Sequence, residues 1–181
     1  RRINLRGTRA TIDVRHYQAA TMNKTAVHLL MLEKLDIDLD VLQRAAQTAY
    51  EAATHAENIA ENKYDTLGLE ASYLATGQAR RVEEIRQALK NCRGMPLTAH
   101  SAAQGIQIGA LVNLEAENGS GQWLFLAPDA AGLKLNQDGR TVTVITPRSP
   151  LGAALLGKQL DDEVQINVAG AVQTFTVCEI H

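Results

Sequence analysis

Two runs of hydrophobic residues in this chain repeat with spacings that alternate between three and four residues. The first run consists of Leu32, Leu35, Leu39, Leu42, Ala46, Ala49, Ala53, Ala56 and Ala60, and the second of Ala71, Ala75, Gln78, Val82, Ile85 and Leu89. This heptad spacing predicts two α-helices that pack against each other as a left-handed coiled coil.

The two runs mirror each other about a point between Asp65 and Thr66, so that Leu42 falls opposite Leu89 when the chain is folded back. The sequence therefore predicts one antiparallel helical hairpin with its turn within Asn62–Leu69. The paired positions change from large aliphatic residues at the base to alanine near the turn. Because small residues let two helix axes approach closely, we expect the distal end of this arm to be thin.

The predicted turn carries acidic and apolar residues. The mirror places Asp65 at the extreme tip and Glu61 and Glu70 on the two shafts, with Tyr64 and Leu67 beside the apex. A carboxylate at the end of a thin arm suits contact with Mg²⁺, which prefers hard oxygen ligands. A solvated helix face is the ordinary alternative for the two glutamates, and packing across the turn is the alternative for the two apolar residues.

Beyond residue 96 the helical periodicity stops and short β-like runs begin, at 108–114, 122–127, 141–145, 164–168 and 172–180. One short helix interrupts them. Ser149 suits its N-cap, Pro150 its first turn and Gly157 its C-terminal end. The predicted fold class is α+β: an N-terminal antiparallel coiled-coil hairpin, followed by an antiparallel sheet domain with one short helix.

The predicted domain organisation has four parts. They are a non-native or disordered Arg-rich leader at 1–21, the hairpin at 22–93, a linker at 94–107 and the sheet domain at 108–181. A basic arm that binds nucleic acid is the alternative for the leader.

Composition narrows the function classes. The net charge of −2 provides no global basic field for binding free nucleic acid. Cys92 and Cys178 are far apart in the sequence and lack metal-ligand spacing, so free thiols in a reducing compartment are expected. Neither a membrane-spanning run nor a secretory signal is visible. We expect a cytoplasmic protein without membrane contact.

The stretch Thr146–Val164, TPRSPLGAALLGKQLDDEV, resembles the C-terminal domain of the Gre family of bacterial transcription elongation factors. The matching positions are Ser149, Pro150, Ala154, Leu155, Gly157, Lys158, Asp162 and Val164. An N-terminal antiparallel coiled coil in front of such a domain is also the architecture of that family. The resemblance implies an FKBP-like fold for residues 108–181.

The resemblance also implies a function. In Gre-type factors the C-terminal domain docks at the rim of the secondary channel of RNA polymerase, and Ser149, Pro150, Gly157 and Lys158 match the motif of that domain. The coiled coil threads the channel, and acidic tip residues help to hold Mg²⁺ where the polymerase cleaves backtracked RNA. This implies a monomeric partner of bacterial RNA polymerase that is no enzyme on its own and shares Mg²⁺ with the polymerase, with Asp65 as its candidate ligand.

The tip departs from the family pattern of Asp-x-x-Glu-Asn. An ungapped comparison places Glu61 and Asn62 on the Glu-Asn pair and Asn58 on the aspartate, whereas the mirrored seam places Asp65 at the apex. Both placements remain open. A lone apical carboxylate provides half of the usual ligand pair, which predicts weak or absent stimulation of RNA cleavage.

Two other function classes remain as alternatives. An FKBP-like fold is compatible with a peptidyl-prolyl isomerase or chaperone, but that activity uses an aromatic-lined pocket and aromatic residues make up only 4% of the chain. A structural dimerisation module would account for the helical hairpin, but it would leave the acidic apex and the helix motif unexplained.

Overall fold

The computed structural model describes residues 21–54 and 67–181. The elements are α1 Lys24–Thr54, α2 Leu67–Arg93, β1 Leu111–Ala116, β2 Gly121–Leu126, β3 Lys134–Gln137, β4 Arg140–Ile145, α3 Pro150–Leu155, β5 Glu163–Val168 and β6 Ala171–Ile180. The predicted leader at 1–21 lies outside the described residues, apart from Thr21. In the described parts of the chain, no helix has an apolar stretch of the kind that crosses a bilayer.

The helical hairpin begins with a capped helix. The side-chain oxygen of Asn23 accepts hydrogen bonds from the backbone N–H groups of Thr25 and Ala26, at 2.9 and 3.1 Å. Helix α1 then continues without a break through Asp36–Asp40, where aspartates favour interruption. A side-chain ion pair four residues apart supports this stretch, between Lys34 and Asp38 at 2.7 Å. The predicted pair of long helices is confirmed.

The six strands form one mixed sheet in the order β3-β4-β2-β1-β6-β5. Four neighbouring pairs are antiparallel, but β2 and β4 are parallel, with Trp123 opposite Val142. The expectation of a wholly antiparallel sheet is therefore wrong in this one pair. The chain passes from β2 to the edge strand β3 and turns back, which places β4 between them and alongside β2.

Strand β3 was not among the strands predicted from the sequence. Three of its four residues are polar, and Leu135 is the one hydrophobic residue that it buries, so its sequence lacks the usual pattern of a strand. A signal for it was present, since Asp138 and Gly139 form a two-residue turn in which both φ angles are positive, at 52° and 80°. An Asp-Gly pair of this kind is a strong hairpin indicator.

The sheet separates two hydrophobic cores. On one face, the base of the hairpin packs Met31, Leu35 and Leu89 against sheet residues that include Phe125 and Val142. On the other face, α3 contributes Leu155 to a core with Val112, Leu126, Val164 and Val177. The base of the helical hairpin is thus part of the hydrophobic core of the sheet domain.

The segment predicted as a linker, 94–107, contacts the sheet domain through its last residues. Ile106 is fully buried, its N–H donates to the carbonyl of Lys158 at 2.8 Å, and its own carbonyl accepts from Gly157 at 2.8 Å. Gly105 has a φ of +68°, and a β-carbon there would lie 2.3 Å from the carbonyl oxygen of Gly157. This close approach seats the segment against the end of α3. The four-part domain division itself stays a prediction.

Candidate functional site

The predicted seam is the buried surface of the hairpin. Every seam residue in the described helices is buried or half-buried, whereas the residues between them are mostly exposed. Ala49 and Val82, a pair predicted from the mirror, are each 7% exposed. Toward the distal end the seam consists of the half-buried alanines Ala53, Ala71 and Ala75. Small residues line the seam there, as expected for a thin arm.

A groove runs along one side of the arm, between the two helices. It is lined by small residues such as Ala46, Ala53 and Ala79, together with Tyr50 and Arg86. Tyr50 is 59% exposed and therefore leaves an aromatic ring in solvent. The arm thus presents apolar surface along its length as well as the polar positions expected of a solvated helix.

The predicted tip residues fall largely outside the described residues. Asp65, Glu61 and Tyr64 all lie within 55–66, so the structure neither supports nor opposes their placement. Leu67 is the first residue of α2, and Glu70 is an exposed residue of the first turn of that helix. A carboxylate in a first helical turn is stabilised by the helix dipole, so Glu70 has a structural role available to it.

Part of the predicted turn is helical. Residues 67–69, which the sequence predicts as part of the turn, belong to α2. The rest of the predicted turn, 62–66, lies outside the described residues. In the residues that the structure does describe, no group of three His, Cys, Asp or Glu side chains is arranged to hold a metal ion.

The motif around α3 has clear local geometry. Ser149 caps the helix: its hydroxyl accepts from the N–H of Gly152 at 3.1 Å and donates to the carbonyl of Thr146 at 2.9 Å. Pro150 occupies the first turn, as the sequence predicts. Gly157 has a φ of +76°, a conformation that glycine adopts without strain. These three residues shape the helix and its ends.

Lys158 of the same motif is half-buried, and its ammonium group donates to the carbonyl of Glu163 at 3.1 Å. Its backbone carbonyl accepts from Ile106. Lys158 therefore joins the end of α3 to the start of β5 and to the segment before β1. The structure brings Ser149, Pro150, Gly157 and Lys158 together around one short helix, at the opposite face of the sheet from the hairpin base.

A cluster of polar contacts that the sequence analysis did not find fixes the end of α2. Asp129 accepts hydrogen bonds from Asn91 at 2.6 Å and from Arg148 at 2.5 Å. Burial opposes ionisation of Asp129, but these two donors outweigh it and lower the pKa of the carboxyl group. Because Arg148 immediately precedes Ser149, the cluster connects the helix motif to the arm.

Two further contacts hold the base of the arm. One guanidinium nitrogen of Arg93 lies 2.9 and 2.7 Å from the two carboxylate oxygens of Asp36, which joins the end of α2 to α1. The ring nitrogen Nε2 of His28 lies 2.8 Å from the carbonyl oxygen of Cys92. The thiol of Cys92 is fully buried, and burial raises its pKa to about 11. Local sequence patterns gave no indication of these long-range pairings.

The sequence of this chain matches known proteins over most of its length. The family model for the C-terminal domain of the transcription elongation factors GreA and GreB matches residues 102–181. Transcription elongation factor GreA of Halorhodospira halophila is 26% identical over 166 residues, which cover 88% of this chain and 98% of that protein.

Solved structures of other proteins also align with this chain. The GreA factor homolog 1 (Gfh1) of Thermus thermophilus is 24% identical, and the alignment covers 83% of this chain and 94% of that chain with a TM-score of 0.35. A GreA/GreB factor from Nitrosomonas europaea is 16% identical, with coverage of 62% and 91% and a TM-score of 0.34. The likeness to these transcription elongation factors rests on the sequence matches. The helix motif at 149–158 and the preceding helical hairpin agree with it. Residues 102–181 of this chain therefore carry a domain that matches the C-terminal domain of the transcription elongation factors GreA and GreB.

Proposed function

We propose that this protein binds bacterial RNA polymerase at its secondary channel and projects its helical arm toward the polymerase active site. The observation that carries the proposal is the combination of a GreA/GreB C-terminal domain at 102–181 with a long arm rooted in the core of that domain. Helix α1 has 31 residues and is about 45 Å long at the usual helical rise, and its first turns form the base of the arm in that core.

The arm is suited to entering a narrow passage. Its distal seam is built from alanines, which minimises the distance between the helix axes. Burying alanines contributes little hydrophobic stabilisation for the length of chain involved, since each buried CH₂ is worth about 0.8 kcal/mol. We therefore attribute the thin distal end to the need to fit a narrow passage, because it contributes little to stability.

The chemistry at the tip is assigned to Asp65, with Glu61 as the alternative apical acid and Glu70 on the shaft. A carboxylate there would contribute an oxygen ligand to Mg²⁺ held by the polymerase, and a second metal stabilises the attacking and leaving oxygens in phosphodiester hydrolysis. The protein is not a catalyst by itself in this account. We expect it to modulate transcription, with weak or absent stimulation of RNA cleavage.

Partner and location follow from the same proposal. The protein is expected to act as a monomer in the cytoplasm, where the polymerase is found, and to leave free DNA and RNA unbound. A net charge of −2 agrees with this expectation, because nucleic-acid binding needs clustered phosphate-neutralising groups.

The aromatic residues of the sheet domain are mostly packed in its cores, which does not favour the isomerase alternative. Phe125 is fully buried in the core on the hairpin side of the sheet, and Phe175 is buried in the core on the α3 side. Trp123 packs against the first of these cores and against the ring of His181. Phe125 is therefore committed to packing, and Phe175, which also borders the groove beside β6, has mostly polar or small neighbours there.

A photo-crosslinking experiment tests the binding mode. A photoreactive amino acid is placed at position 65, and a control is placed at position 37, where Ile37 is exposed near the base of α1. With bacterial core polymerase, position 65 should crosslink to the catalytic loops around the active-site metal, and position 37 should not. Co-purification with the polymerase without an active-site crosslink from position 65 would refute the threading of the arm.

A further inference from the structure

The hairpin of β5 and β6 extends beyond the rest of the sheet. The pairing of β1 with β6 ends at Ala116 and Phe175, whereas β5 and β6 remain paired for four more positions, as far as Val168 and Ala171. At the usual rise of a strand, this protruding part is about 13 Å long. We call it the finger: residues 165–174, whose two strands have no third strand beside them in the described parts of the chain.

The geometry of the turn sets the direction of the backbone groups in the finger. Ala169 and Gly170 both have positive φ angles, 52° and 85°, which defines a two-residue turn of type I′. The flanking residues Val168 and Ala171 therefore form a hydrogen-bonded pair. Because such pairs alternate along an antiparallel ladder, the N–H and C=O groups of Val172 and Thr174 point away from β5.

These backbone groups face a groove. One wall of the groove is the turn between β1 and β2, with Glu117, Asn118 and Ser120, and the other is β6, with Val172 and Thr174. On the side that faces the turn, the backbone groups of Val172 and Thr174 form no hydrogen bond with any part of the chain that the structure describes. The groove thus occupies the place where β1 would continue if it were longer.

The groove edge lacks the features that usually protect an open strand. Residues 164–178 contain neither a charged residue nor a proline, and Val172 is 65% exposed. The one charge at the groove is Glu117, an exposed carboxylate that forms no ion pair within the described residues. The open ladder is complementary to a strand, and the carboxylate is complementary to a basic side chain.

We propose that this groove binds an extended segment of another protein, which adds to β6 as an antiparallel strand in continuation of β1 and places a lysine or arginine beside Glu117. Main-chain hydrogen bonds to Val172 and Thr174 provide the affinity, and the basic side chain provides selectivity. The site lies away from the tip of the arm and is independent of the proposed function.

A peptide titration followed by nuclear magnetic resonance tests the proposal on the full chain. The probe is acetyl-Thr-Val-Thr-Val-Lys-Val-amide, added to about 1 mM, the range of a weak complex. The amide signals of Val172 and Thr174 should shift and their hydrogen exchange should slow. A control peptide with alternate amides N-methylated keeps the side chains but loses the donors, and it should cause neither change.

Two protein variants provide a matched comparison. Val172→Pro removes an N–H that faces the groove and leaves the bonds to β5 intact, so peptide binding should fall at least tenfold. Gln165→Pro removes an N–H on the opposite edge of the same finger, because Gln165 and Thr174 form a non-hydrogen-bonded pair, and binding should be unchanged.

Three outcomes would overturn the proposal. The first is equal binding of both peptides, and the second is an equal loss of binding in both proline variants. The third is a shift of the amide signals of Val172 and Thr174 on simple dilution of the protein, which would assign the groove to a second copy of the chain. A loss of affinity in Glu117→Gln for the lysine peptide, together with no loss for a peptide with norleucine at that position, would support the role of the carboxylate.

Discussion

The carbonyl oxygen of Thr146 occupies the space that a side chain at Gly152 would need. A β-carbon at position 152 would lie 2.0 Å from that oxygen and 2.9 Å from the hydroxyl of Ser149. The turn that leads into α3 can therefore close only because residue 152 is glycine. Since the oxygen belongs to the backbone, no rotation of a side chain can relieve the contact.

Replacement of this glycine should destabilise the sheet domain. We expect Gly152→Ala to lower the free energy of unfolding by roughly 2 kcal/mol or more, because the backbone around the Ser149 cap must shift. Chemical denaturation followed by circular dichroism measures the change. The matched control is Gly77→Ala, in the interior of α2, where a β-carbon meets nothing within 4 Å. It should stabilise the protein by about 0.5–1 kcal/mol, and a similar loss in both variants would contradict the steric explanation.

The buried thiol of Cys92 should make stability depend on pH in alkaline solution. Its pKa is raised to about 11 in the folded protein, from an ordinary value of 9.0. The unfolded chain therefore loses this proton first, and stability falls as the pH rises from about 9 to about 11, by an amount on the order of 2 kcal/mol. Chemical denaturation of the parent and of Cys92→Ala at pH 8 and pH 10.5 measures this contribution. The free energy of unfolding should fall more between the two pH values in the parent than in the variant.

The two cysteines should also differ in reactivity. Cys178 is exposed and Cys92 is fully buried. A thiol reagent at pH 8 should label one thiol in the native protein and two in denaturant. Rapid native labelling of Cys92, identified by mass spectrometry, would show that the base of the arm opens more readily than its packing indicates.

The contact between Asp129 and its two donors should stabilise the junction of arm and sheet domain. The pKa of Asp129 is lowered in the folded state, so its contribution is present at neutral pH and is lost as the pH falls through the folded pKa. Asp129→Asn should lower the melting temperature by a few degrees at pH 7 and by less in acid. The control is Asp36→Asn. The side chains of Asp36 and Arg93 are both about half exposed, so their ion pair should contribute less to the melting temperature. Equal effects at both pH values would contradict the charge-based account.

The sequence was most informative where structure is periodic. Spacing alone identified Ala49, Val82 and the other seam residues, because burial in a coiled coil repeats with the same period as the sequence. The Ser149-Pro150 start of α3 was equally clear, since capping is a local interaction. The parallel position of β4 beside β2 could not be predicted, because it depends on how the edge strand β3 folds back. The link from Asp129 to Asn91 joins residues 38 positions apart and has no local signature.

The thin distal seam should matter for function more than for folding. Ala75→Leu adds volume where the arm is narrow, and we expect it to push the two helices apart and widen the distal arm while the sheet domain stays folded. Its effect on transcription should nevertheless fall. Ala46→Leu, the same enlargement at a seam position nearer the base, is the matched control and should retain activity. Equal activity of both variants would show that the width of the arm does not limit its entry.

The most direct measurement is transcription on stalled, backtracked complexes and on promoter-initiated complexes, with each variant at saturating concentration. The parent should alter transcription with little RNA cleavage. Asp65→Asn should bind the polymerase normally and lose the effect, whereas Glu61→Gln and Glu70→Gln should retain most of it. Robust cleavage by the parent that survives Asp65→Asn and disappears in Glu61→Gln would contradict the account and place the apical acid at position 61.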